Sequence, residues 1–438
     1  MKNATDWQAG GEYTYTVSLA AAKDLGYTIE SNGSYTVYNA DGLMNIAKLV
    51  NGGKSDINIT LTADIDLTGK DWTPIGTDYD NSYKGTFDGG GHTITGLTFT
   101  TNDEYAGLFG WLNRAGTVKN VVMEGVQITS NQIYGGSIGG VVGSGWGTIE
   151  NCSVSGSVSG TVYVGGVVGV QIGGSITGCS SSATVKGTVD VGGVAGQTNS
   201  SATLTACYAT GNVIIEMDTK KNIAGGSLVG MNAGSSLLAC YATGNVIAVS
   251  PHSGAYFGGF AGSITGTAEN CISTGTLTPG WSYNGGFAGY FEGTLASFNE
   301  DFVTLKHCFA NCETSLGTTI KPLGNYLPGR DENSDQAAAA IGVSQTESFV
   351  KLKEMLDAIA QQQATAEALI LEAAKYQDEI TIPNTVAAQT DVTDLVAQLK
   401  PGQAADSAIA VQYREREEKH IHRQRCAGQP LYAGAAQR

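Results

Sequence analysis

Charge is scarce in this sequence: 15% of its 438 residues are Asp, Glu, Lys or Arg, and the acids prevail to a net −16. With so few cations and no basic stripe, the chain has no electrostatic footprint for nucleic acid or for an anionic membrane surface. Proline is also rare, at 8 residues against 61 glycines, which excludes a collagen-like or Pro-rich linker composition. No apolar run approaches the roughly 18 residues of a membrane-spanning segment. Histidine occurs only 5 times, and no His-Glu-x-x-His zinc-protease signature is present. Gly52-Gly53-Lys54-Ser55 is not a phosphate loop, because Lys48 stands where the motif needs its first glycine. At the N-terminus, Met1-Lys2 runs into polar residues with no apolar stretch of the kind a secretion signal needs. The strand-like Tyr13–Val17 opens abruptly, so the chain reads as a fragment of a larger exported protein.

What the sequence does have is repetition. A short glycine block appears as Gly139-Gly140-Val141-Val142-Gly143, Gly165-Gly166-Val167-Val168-Gly169 and Gly192-Gly193-Val194-Ala195-Gly196. Variants of it stand at 106–110, 226–230, 258–262 and 285–289, at spacings between 26 and 34 residues. Periods of this size signal a solenoid or array, and the variation implies a base coil of about 27 residues with loops added in some turns. Downstream of each block comes a second element, set by Ile149-x-x-Cys152-x-Val154-x-Gly156-x-Val158. It returns around Cys179, Cys207, Cys240, Cys271 and Cys308. The period of two after each cysteine specifies a strand with one buried face, and the glycine load excludes helix. The expected fold is all-β: a right-handed parallel β-helix with an N-terminal helical cap and a C-terminal helical or disordered segment.

The boundaries follow from composition. Residues 1–30 read as the remnant of a preceding β module, 31–105 as the cap and first coil, 106–325 as the repeats, and 326–438 as a helical segment with a disordered tail. Leu43, Ile46, Ala47 and Val50 fall on one helical face, suited to covering the open end of a solenoid. Past residue 330 the spacing of Phe349, Leu352, Leu356, Ile359 and Ala360 predicts a helix over about 346–377, with a short one near 391–399. From Tyr413 the chain turns basic, and His420 and His422 read as part of a disordered tail.

The blocks resemble the GLUG-type repeats of bacterial surface proteins, carried by the Gly-Gly-Val-Val-Gly stretches and by Gly147-Thr148-Ile149-Glu150-Asn151-Cys152. The stretch from Ala63-Asp64-Ile65-Asp66 through Trp72-Thr73-Pro74-Ile75-Gly76 to Gly85–Ile94 is similar to the entry region of such proteins in gut Bacteroidetes. Trp7–Gly10 with Tyr13–Thr16 resembles the closing strand of a fimbrillin-like module. The resemblance implies a cell-surface or extracellular location. It transfers no catalytic residue, because the repeat is structural.

Three groups are candidates for function. The cysteines form one inward column whose coil spacing permits disulfides, but their parallel side chains suit buried, reduced thiols acting as hydrophobes better. Asp64, Asp66, Asp71, Asp78, Asp80 and Asp88 crowd into one stretch, which weakly suggests calcium but lacks the spacing of a calcium loop; turn and capping carboxylates are the simpler expectation. His92, beside Asp88 and Thr93, fits the Gly-rich turn rather than a triad. The third group is the outward face of the Cys-centred strand, an uncharged ladder that includes Tyr208, Thr210, Asn212 and Tyr241, Thr243, Asn245. It suits a glycan or host-surface ligand, with Tyr208 beside Tyr241 in the next coil. No cofactor is implied. A β-helical polysaccharide lyase or hydrolase would need paired acids, and residues 131–290 hold only Glu150, Asp190, Glu216, Asp218 and Glu269. A spacer for another domain is the third reading.

Overall fold

A computed structural model describes residues 24–133, 135–216, 223–249, 255–278 and 283–293, and short stretches from there to 343. The chain winds as a parallel β-solenoid. In the coil that begins at Ser137, strand Ser137–Gly139 leads through the glycine block into Val142–Gly145 and Thr148–Glu150. A corner at Asn151 then turns the chain into Ser153–Ser159, and Tyr163–Gly165 starts the next coil. Among the described residues, equivalent strands stack in register into three sheets of 17, 16 and 7 strands, called here sheets 1, 2 and 3. Sheet 1 holds the strands after the glycine block, sheet 2 the strands after the cysteine, and sheet 3 the strands before the block.

The register follows the repeat. Ile149 pairs with Ile176, Ile176 with Leu204, Leu204 with Leu237, Leu237 with Ala268 and Ala268 with Leu305. The parallel ladder extends upstream of the glycine blocks as well, through Tyr35–Val37, Ile59–Leu61 and Thr86–Asp88. Its edge is closed by Tyr27–Ile29, which pairs antiparallel with Tyr35–Val37. The edge that remains is a strand of only 3 residues, and short edge strands offer little template for aggregation.

Between the first two parallel strands stands helix Ala40–Asn51, N-capped by the Asn39 side chain on the Gly42 N–H. Leu43, Ile46, Ala47 and Val50 are buried, as their spacing predicts, and join the core at the N-terminal end of the stack. The expected helices beyond residue 345, the basic tail with His420 and His422, and the fimbrillin-like stretch lie outside the described residues.

Two backbone features let the coil close. A Cβ on Gly140 would strike the Val154 side chain, one on Gly166 the Ser181 hydroxyl and one on Gly193 the Ala209 methyl. In these three blocks the second glycine lets sheet 2 approach the block without an intervening side chain, which is why the interior is narrow there. The other feature is the corner before each cysteine, and before Val121 in the coil preceding the first of them. Asn120, Asn151, Gly178, Ala206, Ala239 and Asn270 all take positive φ, between 50° and 63°. In the first corners the asparagines are linked: Asn120 Nδ2 donates to Asp88 Oδ1 at 2.9 Å and Asn151 Nδ2 to Asn120 Oδ1 at 3.4 Å.

Candidate functional site

Sheet 2 carries the residues on which sequence reasoning settled. Below them lies the cysteine column. Tyr208 donates its N–H to Cys179 O, Tyr241 to Cys207 O and Ile272 to Cys240 O, so the cysteines stack one per coil. Cys152, Cys179, Cys207, Cys240 and Cys271 are free, buried thiols. Each points to the carbonyl two residues before it, at 3.2 to 3.4 Å, as in Cys207 to Thr205 O and Cys271 to Glu269 O. Burial pushes the thiols of Cys179, Cys207 and Cys271 well above their ordinary value. Thiols held protonated in this way are poor nucleophiles and poor ligands. Cys312 sits outside the column, against Gly286 O at 3.0 Å.

Facing outward from the same strands are Tyr208, Thr210 and Asn212 in one coil and Tyr241, Thr243 and Asn245 in the next. Tyr208 pairs with Tyr241 across the coils, and their rings lie parallel, centroids 4.8 Å apart and 2° between planes. Thr210 and Thr243 are exposed, and the tyrosines and asparagines half-buried. Asn245 Nδ2 donates to Asn212 Oδ1 at 3.1 Å, while Asn245 Oδ1 accepts from Thr276 N–H and hydroxyl at 3.0 and 2.8 Å. The amides are thus spent partly on one another. The tyrosine stack also uses ring faces. It is flanked in register by Ser180 on one side and Ile272 on the other, and these outward residues are only 9% and 4% exposed. What the ladder offers is therefore hydroxyls and ring edges. The alternation extends two residues further to Ile214 and Ile247, a pair on the same face that the sequence reading omitted. Following the period past Asn212 would have found it.

Four of the six aspartates, Asp64, Asp66, Asp78 and Asp88, act as caps. Asp64 accepts from Thr93 N–H at 3.0 Å and meets His92 Nδ1 at 3.2 Å. Asp66 accepts from Thr68 N–H, and Asp88 from Gly90 N–H and Asn120 Nδ2. Asp78 gathers the N–H groups of Asp80 and Asn81 and the Asn81 amide. The Asn81 hydrogen bonds hold the Asp78 carboxyl below its ordinary value, and the Thr93 N–H does the same for Asp64. Among the described residues no group of three or more His, Cys, Asp or Glu is placed to hold a metal ion.

The acids of residues 131–290 are dispersed. Glu150 and Glu269 share one column of sheet 1, four coil steps apart through Thr177, Thr205 and Leu238. At the coil spacing that is about 19 Å, against the roughly 5 to 9.5 Å that glycosidase carboxylates need. Glu216 is paired with Lys186 at 2.8 Å beside sheet 2, while Asp190 is buried in sheet 3. Asp218 lies outside the described residues.

Residues 134–159 and 160–186 match the GLUG motif. The chain carries GLUG repeats. It is 34% identical over 143 residues to halomucin of Haloquadratum walsbyi and 38% identical over 100 residues to a candidate Gly-rich membrane protein of Evansella cellulosilytica. These matches cover 30% and 22% of this chain, and it spans only 2% and 11% of those relatives' lengths. A candidate immunoglobulin A1 protease from Bacteroides ovatus has a similar structure, with a TM-score of 0.50 at 22% identity over 65% of this chain and 85% of that one. At that identity the likeness is one of fold. No helix among the described residues is long and apolar enough to cross a membrane.

Proposed function

We propose that this chain is a non-enzymatic repeat module of a cell-surface or secreted protein, and that it contacts glycan through the outward face of sheet 2. The observation that carries the reading is the in-register ladder of Tyr208, Thr210 and Asn212 on Tyr241, Thr243 and Asn245. It is uncharged, rigid and rich in hydroxyls, the chemistry that meets sugar hydroxyls without demanding a charged ligand. The tyrosine stack fixes both phenols in place, so little side-chain entropy is lost on binding. The exported location draws support from the likeness to halomucin and to a Gly-rich membrane protein. The separation of Glu150 from Glu269 favours binding over hydrolysis of the same glycan.

A glycan array probed with the full chain tests this. The expected result is retention of at least one neutral glycan, weakened at least tenfold by Tyr208→Ala with Tyr241→Ala. Failure to retain any glycan, or retention unchanged in the double variant, overturns the assignment of this face.

A further inference from the structure

A second aromatic surface lies where sheets 3 and 1 meet on the outside of the coil. In sheet 3, Ile138, Val164 and Val191 are fully buried in the core; in the alternate column Tyr105, Tyr163 and Tyr256 are half-buried and Tyr283 exposed, while Ser137, Asp190 and Ala224 between them are buried. Those positions run in register from Tyr105 through Tyr163 to Tyr256 and Tyr283. In sheet 1 the outward column runs from Trp111 through Gln197 to Tyr290. Rings bridge the two columns at both ends. Tyr105 stands edge-on to Trp111 with centroids 4.5 Å apart, and Tyr256 lies 5.0 Å from Tyr290.

The N-terminal end is the more elaborate. Between the bridges Ile75 to Phe109 and Tyr83 to Leu112, the chain bulges out instead of forming a strand, and Tyr79 sits in that bulge. Asp78 ties the bulge down through its hydrogen bonds to residues 77–81. Tyr79 is 59% exposed, yet its ring meets Trp111 at 5.9 Å and 90° and Trp146 at 5.5 Å and 73°. An aromatic ring that is both exposed and braced by two indoles is a preorganised platform. The Trp111 Nε1–H is buried with no partner, a cost of about 1–3 kcal/mol that ordinary core packing avoids. At the other end Tyr283 is 46% exposed, stacked at 5.6 Å and 18° on Tyr256.

We propose that this seam is a second glycan-contact surface, in which Tyr79 and Tyr283 stack on sugar rings of one extended neutral oligosaccharide. The proposal rests on the reading of the chain as a glycan-contacting module. Three features select the ligand. Neither ring cluster contains a cation, so an anionic ligand has no counter-charge. The clusters lie on the same columns six coil steps apart, about 29 Å at the coil spacing, a span suited to a polymer with repeating flat faces rather than to one side chain. Each cluster also carries a carboxylate already held by a phenol: Tyr105 donates to Glu104 at 2.6 Å and Tyr290 to Glu292 at 2.9 Å. Carboxylates anchored in this way stand ready as acceptors for sugar hydroxyls.

The test uses the full chain, hexasaccharides of β-linked glucan, mannan and galactan, and an arginine-rich peptide as the competing probe. Binding is followed by calorimetry and by tryptophan fluorescence, with circular dichroism as a check on the fold. The expected result is hexasaccharide binding weakened at least fivefold by Tyr79→Ala, retained by Tyr79→Trp, and reduced by Tyr283→Ala. Equal binding by Tyr79→Ala and the unaltered chain overturns the seam, as does binding of the peptide but of no hexasaccharide. If Tyr208→Ala with Tyr241→Ala abolishes binding and Tyr79→Ala does not, the seam fails and the sheet 2 face stands. The reverse pattern leaves the seam standing and sinks that face. Binding of none of the probes overturns the seam.

Discussion

Ala206 and Ala239 occupy corners whose φ of 53° suits glycine or asparagine, the residues that fill the other corners of the same column. For an L-residue with a Cβ this region costs about 1–2 kcal/mol. Ala206→Gly and Ala239→Gly are each expected to raise the urea midpoint by an amount equivalent to about 1 kcal/mol, somewhat offset by the greater freedom of glycine in the unfolded chain. Asp190 has the opposite kind of strain. Burial pushes its carboxyl up to about 7. The unfolded carboxyl titrates near 3.9, so between about pH 4 and 7 the folded state holds a proton that the unfolded state releases. Stability therefore falls as pH rises through that window, by up to about 4 kcal/mol. The capping carboxyls of Asp64, Asp66, Asp78 and Asp88 are held low, and their contribution is lost as pH drops below about 4. Denaturant melts across pH should peak between about pH 4 and 5, and Asp190→Asn should abolish the decline toward neutrality. A decline unchanged in that variant would count against Asp190 as its source.

The elements are columns rather than single strands, and their tolerance depends on which column is touched. Gly166→Ala drives a methyl into Gly193 O and the Ser181 hydroxyl, so a loss of about 1–3 kcal/mol is expected in urea melts. The free thiols of Cys152, Cys179, Cys207, Cys240 and Cys271 should stay unlabelled by a thiol reagent in the native protein and react together on unfolding; rapid native labelling would show the column to be accessible. Much of this was legible in the sequence. Ile149-x-x-Cys152-x-Val154 fixes inward and outward phases by a period of two, and one phase predicted both the buried thiols and the apposition of Tyr208 and Tyr241. The helix Ala40–Asn51 was legible from Leu43, Ile46, Ala47 and Val50. The consumption of ring faces was not, because it depends on how Ser180 and Ile272 pack in neighbouring coils. Nor was the outer seam. Tyr79 lies in a bulge outside any period, and its contacts with Trp111 and Trp146 exist only once three coils are stacked.

At the scale of the molecule, the solenoid presents long outward faces stacked coil on coil, over an apolar core that the helix Ala40–Asn51 and the antiparallel strand Tyr27–Ile29 adjoin at its N-terminal end. The Tyr208 to Tyr241 ladder is uncharged, while the seam column passes through the buried Asp190 and its two ring clusters carry Glu104 and Glu292. Such a scaffold suits contact with a long neutral polymer, and Glu150 and Glu269 stand four coil steps apart on it. The most direct test of that claim is the fate of the glycan. A neutral polysaccharide retained by the full chain should be recovered after prolonged incubation with its length distribution unchanged by mass spectrometry. Shortened chains, or new unsaturated ends, would contradict the account and make the protein an enzyme acting on the polymer it holds.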